Sequence, residues 1–119
     1  MKVAITVTQA NLNAEIDQRF GRSKFFAIFD TENGNVEFMD NGINLEAATG
    51  AGVQAASNVI NSGAKVVITG NCGPKAFRVL SEGGVKVIIG AAGSLSEVIE
   101  KFKRNEYDYA TSSNVEGHW

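Results

Sequence analysis

The sequence has few of the residues with which small proteins build covalent or metal cross-links. Its 119 residues include one Cys, one His and one Pro. One Cys excludes a disulfide within the chain. One Cys and one His cannot supply the four ligands of a structural zinc site. A Ser-His-Asp triad would have to use His118, the penultimate residue, so we do not expect that chemistry.

Runs of one charge and long apolar runs are also missing. The 11 Lys and Arg are scattered among 13 Asp and Glu, which gives a net charge of -2. Nucleic-acid-binding domains carry basic patches, so we expect no nucleic-acid partner. No apolar run approaches the ~20 residues of a membrane span, and the first residues do not resemble a signal peptide. We therefore expect a cytoplasmic protein without a membrane partner.

Glycine, in contrast, is abundant, and ten of the 13 glycines lie between Gly42 and Gly93. The first 40 residues favour strands, and the second half alternates helices with apolar strands. The predicted strands are 3–8, 25–29, 36–39, 65–69 and 86–89. The predicted helices are 51–62, 74–82 and 94–103. We expect Val53, Ala56, Val59 and Ile60 to form the inner face of the first helix. Residues 1–105 are predicted to form one domain, and 106–119 a polar tail.

This order of elements predicts an α/β fold with one mixed sheet. Strands that alternate with helices pair in parallel through right-handed crossovers, and short turns make antiparallel neighbours. The expected strand order is 3-2-1-4-5, with strand 2 antiparallel to the rest and three helices, as in ribonuclease-H-like proteins. Ligands of open α/β sheets bind beyond the carboxyl ends of the strands, where the strand order reverses. We therefore expect a ligand site among loops 9–24, 41–50, 70–73 and 90–93.

The segment Gly70-Asn71-Cys72-Gly73-Pro74 links a predicted strand to a predicted helix. Glycines at such a turn let an anion approach the backbone N–H groups at the start of the helix. A thiol at that position is expected to have a lowered pKa, which favours Cys72 as a metal ligand or nucleophile. The alternative is a tight turn that contains a small buried Cys.

Cys72 and Arg78 are spaced as in the phosphate loop of cysteine-dependent phosphatases. There, backbone N–H groups and the Arg hold the phosphate while the thiolate attacks it. Pro74 removes one of the required N–H donors. A phosphatase is therefore kept as an alternative function, and a protein-interaction module without a small ligand is another.

Two further segments belong to the same predicted edge. In Arg19-Phe20-Gly21-Arg22, two Arg around a glycine turn could clamp an anion, or Phe20 could simply fill the core. Thr49-Gly50-Ala51-Gly52 is too short for a dinucleotide-binding motif, and Thr49 is a candidate helix N-cap.

Taken together and in this order, the motifs resemble the dinitrogenase iron–molybdenum cofactor-binding family, of which the NifX-like proteins are small members. The resemblance runs along the whole chain and rests on four segments and the ending Asn114-Val115-Glu116-Gly117-His118-Trp119. The four segments are 19–22, 50–56, 70–77 and 84–87.

The resemblance implies a ribonuclease-H-like fold and a carrier without catalytic activity. Its cargo would be a molybdenum–iron or related metal–sulfur cluster, and its partner a cofactor-assembly or cluster-accepting protein. Positions 19 and 49 hold Arg and Thr where family members often have His, so the implied metal ligands are Cys72 and, if the tail folds back, His118. The implied cofactor-binding residues are Arg19, Phe20, Gly21, Arg22, Thr49, Gly50, Gly52, Asn71, Cys72 and Gly73.

Overall fold

The computed structural model describes residues 1–41 and 50–114. Its strands are β1 (Lys2–Val7), β2 (Phe25–Asp30), β3 (Val36–Asp40), β4 (Ala64–Ile68) and β5 (Lys86–Ile88). Its helices are α1 (Ala51–Asn61), α2 (Pro74–Glu82) and α3 (Leu95–Lys103), with a 3-10 turn at Phe20–Arg22. Each predicted strand and helix is present within one residue at either end. Within the two described ranges, no helix has the length and apolar character of a membrane span.

The five strands form one sheet in the order β3-β2-β1-β4-β5. β2 is antiparallel to β1 and β3, whereas β1, β4 and β5 are parallel. The predicted ribonuclease-H-like topology is confirmed. The carboxyl ends of β1, β4 and β5 consequently meet at one edge of the sheet, together with the start of β2. We call this edge the loop edge.

The sheet lies between two helical layers because successive side chains of a strand point to opposite faces. On one face, Val3, Ile5 and Val7 pack in a cluster with buried residues of α3. On the other face, Ala4 and Val67 pack with buried residues of α1 and α2. Both faces of the sheet are thus covered, as the apolar strands indicate.

The inner face of α1 differs from the predicted one. The buried residues of α1 are Ala51, Ala55, Ala56 and Val59, and Val53 is 36% exposed. At 100° per residue, Val53 lies on the side opposite Ala51 and Ala55. The small residues face inward because the first turn of α1 packs closely against the 3-10 turn, so the prediction for Val53 is wrong.

After α3 the chain returns along the outer side of β5. The Ala110 N–H donates to the Val87 carbonyl oxygen at 2.7 Å. The Lys86 ammonium lies 5.0 Å from the centre of the Tyr109 ring. Residues 106–114, which we call the strap, thereby reach the loop edge.

Candidate functional site

The loop at 8–24 crosses the carboxyl ends of the strands and forms a rim on the loop edge. Isolated backbone bridges join it to β1, to the start of α3 and to the turn after β4. The Ile16 N–H donates to Gly93 O at 2.9 Å, and the Asp17 N–H donates to Thr6 O at 2.9 Å. Because these contacts are made by backbone groups, they fix the path of the rim through main-chain atoms as well as side chains. The bridged pairs are Val7 with Ile16, Glu15 with Ser94, and Arg19 with Asn71.

A buried polar contact supports the rim from below. The Thr6 hydroxyl lies 2.9 Å from the Thr69 hydroxyl and 2.8 Å from the Asp17 carbonyl oxygen. The Asp17 carboxylate accepts the Arg19 N–H at 3.1 Å. Burial raises the pKa of Asp17, against the opposing effects of hydrogen bonds from the Arg19 and Lys24 backbones and of the Arg19 charge. Asp17 thus ties together the two ends of the 3-10 turn.

The 3-10 turn rests directly on α1 through two glycines. A Cβ added to Gly21 would lie 2.7 Å from both Cα and N of Gly52. No side chain fits at position 21 without moving the helix. The motif 19–22 and the glycine-rich start of α1 are therefore in backbone contact, although about 30 residues separate them in the sequence.

The turn after β4 is fixed to the same rim. The Asn71 carbonyl oxygen accepts the Phe20 N–H at 3.1 Å, and the Asn71 amide donates to Gln18 O at 2.8 Å. A Cβ on Gly70 would lie 2.9 Å from the Gln18 Cα. Gly70 thus allows the close approach that the sequence predicted, but the group that approaches is the protein's own rim.

Cys72 lies beneath this turn rather than on its surface. Its side chain is 0% exposed and packs with Phe20, Ala55, Ala76 and Leu80. Burial raises the pKa of the Cys72 thiol to about 12. The predicted lowering of this pKa is wrong, because the loss of hydration outweighs the favourable effect of the α2 N-terminus. The structure instead agrees with the alternative of a small buried Cys.

This environment does not support the phosphatase alternative. A cysteine phosphatase attacks with an accessible thiolate, since the thiolate is the nucleophilic form. At neutral pH a thiol with a pKa of about 12 is protonated. Arg78 is exposed on α2, one turn inside the helix.

The structure separates the residues of motif 19–22 into two groups. Phe20 is buried and packs against Phe26, with their ring centres 5.7 Å apart. Arg19 is exposed and Arg22 is half-buried. Lys24, also exposed, follows them. The burial of Phe20 agrees with the alternative that this residue fills the core. Arg19, Arg22 and Lys24 expose all or part of their charged side chains on the rim.

The other predicted site residues fall into three sets. Gly50 is exposed with a φ of 76° and is the N-cap of α1, the position predicted for Thr49. Gly73 is buried and is the N-cap of α2. Thr49 and His118 lie outside the described residues.

Across 1–41 and 50–114, no three His, Cys, Asp or Glu side chains form a group that could hold a metal ion. The residues brought together are Arg19, Phe20, Gly21, Gly52, Asn71, Cys72 and Gly73.

The strap adds a residue at the site that was not predicted from the sequence. The side-chain oxygen of Asn114 accepts the Cys72 N–H at 2.9 Å. Its side-chain nitrogen lies 3.0 Å from the Asn71 side-chain oxygen and 3.3 Å from Gly70 O. A lone Asn in a polar segment carries no signal of such a role.

Comparison with known proteins places this arrangement in a family. Residues 1–105 match the family described as dinitrogenase iron-molybdenum cofactor. The matched range covers the sheet, the three helices and the loop edge. The chain belongs to this family, as its motifs indicated.

Individual relatives agree with the assignment. An uncharacterized protein of Methanocaldococcus jannaschii is 32% identical over 105 residues, which cover 86% of this chain and 85% of the relative. The apo form of the orange protein from Desulfovibrio gigas has a TM-score of 0.93 at 32% identity, covering 96% of both chains. A Thermotoga protein of the DUF35 family has a TM-score of 0.83 at 32% identity, and the match covers 96% of this chain and 97% of that protein.

Proposed function

We propose that this protein is a carrier without catalytic activity, whose cargo is an anionic metal–sulfur cluster related to the iron–molybdenum cofactor. The family match over residues 1–105 supports a link to that cofactor. The similar orange protein was solved in an apo form, the term for a protein whose bound group is absent. The partner of such a carrier would be a cofactor-assembly protein or a protein that accepts the cluster.

The observation that carries the proposal is the cationic rim. Arg19 and Lys24 are exposed and Arg22 is half-buried, while Asp17 lies partly buried beneath them and accepts a backbone N–H. Guanidinium groups donate several hydrogen bonds in a fixed plane and attract anions. Because backbone contacts already fix the rim, little conformational entropy would be lost when an anion binds there.

Cys72 takes a different place in this proposal from that of the Arg residues. Its thiol is buried and protonated, and its Sγ lies 3.7 Å from the Gly73 carbonyl oxygen. The cargo would therefore first be held by charge at Arg19 and Arg22. Cys72 could serve as a ligand only after the turn at 70–73 opened and the thiol lost its proton.

The test is anaerobic incubation with a molybdenum–iron or molybdenum–copper–sulfur cluster, followed by desalting. We expect retained charge-transfer absorbance in the natural protein. Arg19→Gln and Arg22→Gln should each reduce the retained cluster several-fold, and the double variant further. Equal retention by the double variant would contradict a role for the rim charge.

The matched control is Lys65→Gln, which also removes one positive charge. Lys65 is exposed on β4, towards the end of the sheet opposite the loop edge. It should retain the cluster like the natural protein. Cys72→Ala tests the thiol separately: loss of binding in this variant alone would show that Cys72 is the anchor and that the turn opens.

A further inference from the structure

The side chain of Asn114 occupies the polar groups of the turn at 70–73. Its oxygen accepts the Cys72 N–H at 2.9 Å, and its backbone N–H donates to Cys72 O at 3.3 Å. Its side-chain nitrogen is within 3.3 Å of Gly70 O and 3.0 Å of the Asn71 side-chain oxygen. One residue thus covers the turn that joins β4 to α2.

The rest of the strap is attached at few points. Apart from Asn114, its backbone hydrogen bonds to the body join Glu106 N–H to Lys101 O at 3.1 Å and Ala110 N–H to Val87 O at 2.7 Å. The Tyr107 side chain packs against the core and anchors the start of the strap. A groove of about 550 Å³ lies along the strap, lined by Ile89 and residues 106–114. The Tyr109 side chain is 46% exposed, and Asn114 is exposed as well. Hydrogen bonds at exposed positions add little net stability because water replaces them, so the part of the strap after Tyr107 can detach without unfolding the sheet.

The strap and an anion bound at the turn would exclude one another. The Cys72 N–H lies just before the first turn of α2, where free N–H groups attract anions, and Asn114 already takes this donor.

We propose that residues 106–114 form an autoinhibitory strap, in which Asn114 occupies the turn at 70–73 until the cargo displaces it. This inference rests on the proposed carrier function and adds the way in which access to its site is controlled. A ligand that binds only the open state has its apparent affinity reduced by the fraction of protein that is open. Weakening the strap should therefore tighten binding, whereas most changes at a binding site weaken it.

The experiment measures binding of tetrathiomolybdate, an anionic molybdenum–sulfur compound, to the full chain by absorbance titration. Asn114→Ala removes the side chain from the turn, and Ala110→Pro removes the N–H that pairs with Val87. Each variant should bind about tenfold more tightly than the natural protein, as expected for a strap that is closed about nine-tenths of the time. Ser112→Ala changes an exposed residue of the same segment and should bind like the natural protein.

Amide hydrogen exchange gives a second readout that does not depend on affinity. The Cys72 amide should exchange up to about tenfold faster in Asn114→Ala than in the natural protein, since the strap protects it about nine-tenths of the time. Saturating tetrathiomolybdate should accelerate exchange of the Ala110 amide in the natural protein. Equal affinity in all variants, with the Ala110 amide unchanged, would overturn the strap and leave the carrier function standing. If no variant binds, including Asn114→Ala, the carrier proposal fails and the strap fails with it.

Discussion

At the loop edge, burial reverses the direction of the pKa shift that the position of Cys72 before a helix predicts. Cys72 precedes a helix, a position at which the helix dipole favours a thiolate. Its side chain nevertheless points between the sheet and α2, where no water hydrates a charge. The thiol pKa therefore rises to about 12. Arg19 lies six residues before the start of β2, and its side chain is exposed on the rim.

The raised pKa makes stability depend on pH through Cys72. In the unfolded chain the thiol ionises near its ordinary value of 9.0, whereas in the folded protein it stays protonated to about pH 12. The unfolded state thus loses this proton first, and the free energy of unfolding should fall as pH rises above 9. In Cys72→Ala this fall should be smaller. Urea unfolding of both proteins between pH 7 and pH 10.5 measures this change in the free energy of unfolding. If the difference in free energy between the two proteins stays constant over that range, the buried environment assigned to Cys72 is wrong.

Gly21 should be unusually intolerant of a side chain. In Gly21→Ala the new methyl group would lie 2.7 Å from backbone atoms of α1, which cannot move as a flexible side chain can. We expect a loss of about 1–3 kcal/mol in the free energy of unfolding. Gly83→Ala is the control, since its methyl group would meet the Ile60 side chain, which can move, and would lie 3.4 Å from the Val79 carbonyl oxygen, an ordinary van der Waals distance. A loss for Gly21→Ala no greater than that for Gly83→Ala would count against the close backbone contact.

At the scale of elements, α3 has a complete capping box. The Ser94 hydroxyl accepts the Glu97 N–H at 3.3 Å, and the Glu97 carboxylate accepts the Ser94 N–H at 3.0 Å. Ser94→Ala should cost about 1 kcal/mol. Ser81→Ala, an exposed change inside α2, should cost less than about 0.5 kcal/mol. The free energies of unfolding of the two variants are measured by thermal and urea unfolding. Equal losses of free energy in Ser94→Ala and Ser81→Ala would show that the cap does not stabilise the protein.

The same box gives a pH dependence of the opposite sign. The hydrogen bonds from Ser94 lower the pKa of Glu97 below its usual 4.5. The contribution of the carboxylate is therefore present above pH 4.5 and is lost as the pH falls through the lowered pKa. Between pH 7 and pH 3 the stability difference between the natural protein and Glu97→Gln should shrink. A difference that grows on acidification would contradict this assignment.

Elements were the most predictable level of the structure. Apolar alternation determines the strands, and the Asn33-Gly34 pair between β2 and β3 provides a glycine with a φ of 76° for their turn. The capping box at Ser94 determines the start of α3, and handedness rules then order the strands in the sheet. The inner face of α1 was mispredicted because Gly21, far away in sequence, selects which small residues turn inward. The rim could not be predicted either, since its backbone bridges depend on loop geometry that no side-chain pattern encodes.

For the whole molecule, stability is expected to be uneven. β1 and β4 lie in the middle of the sheet with helices on both faces, whereas the strap lies at its margin. Amides of β1 and β4 should exchange with solvent only through global unfolding, and the Ala110 amide through local opening. Measuring amide exchange at several urea concentrations separates global unfolding from local opening, since the rate of exchange through global unfolding rises steeply with urea. A steep urea dependence for Ala110 would show that the strap unfolds only with the domain.

The candidate site was predictable in position but not in detail. Strand order alone places loops 9–24 and 70–73 at one edge, and the structure brings Arg19 and Asn71 together there. Which side chains face outward depends on packing, so Phe20 and Cys72 are buried while the Arg residues remain accessible. Asn114 comes to the site through the path of the strap along β5, which the sequence does not reveal.

The backbone bridges of the rim have a consequence for redesign. Arg19 is joined to its neighbours through main-chain atoms, so its exposed side chain contributes little to holding the loop in place. The side chain at position 19 could therefore be exchanged while the backbone of the rim keeps its shape. A metal-chelating side chain introduced at this position would test whether the rim can also support a designed metal site.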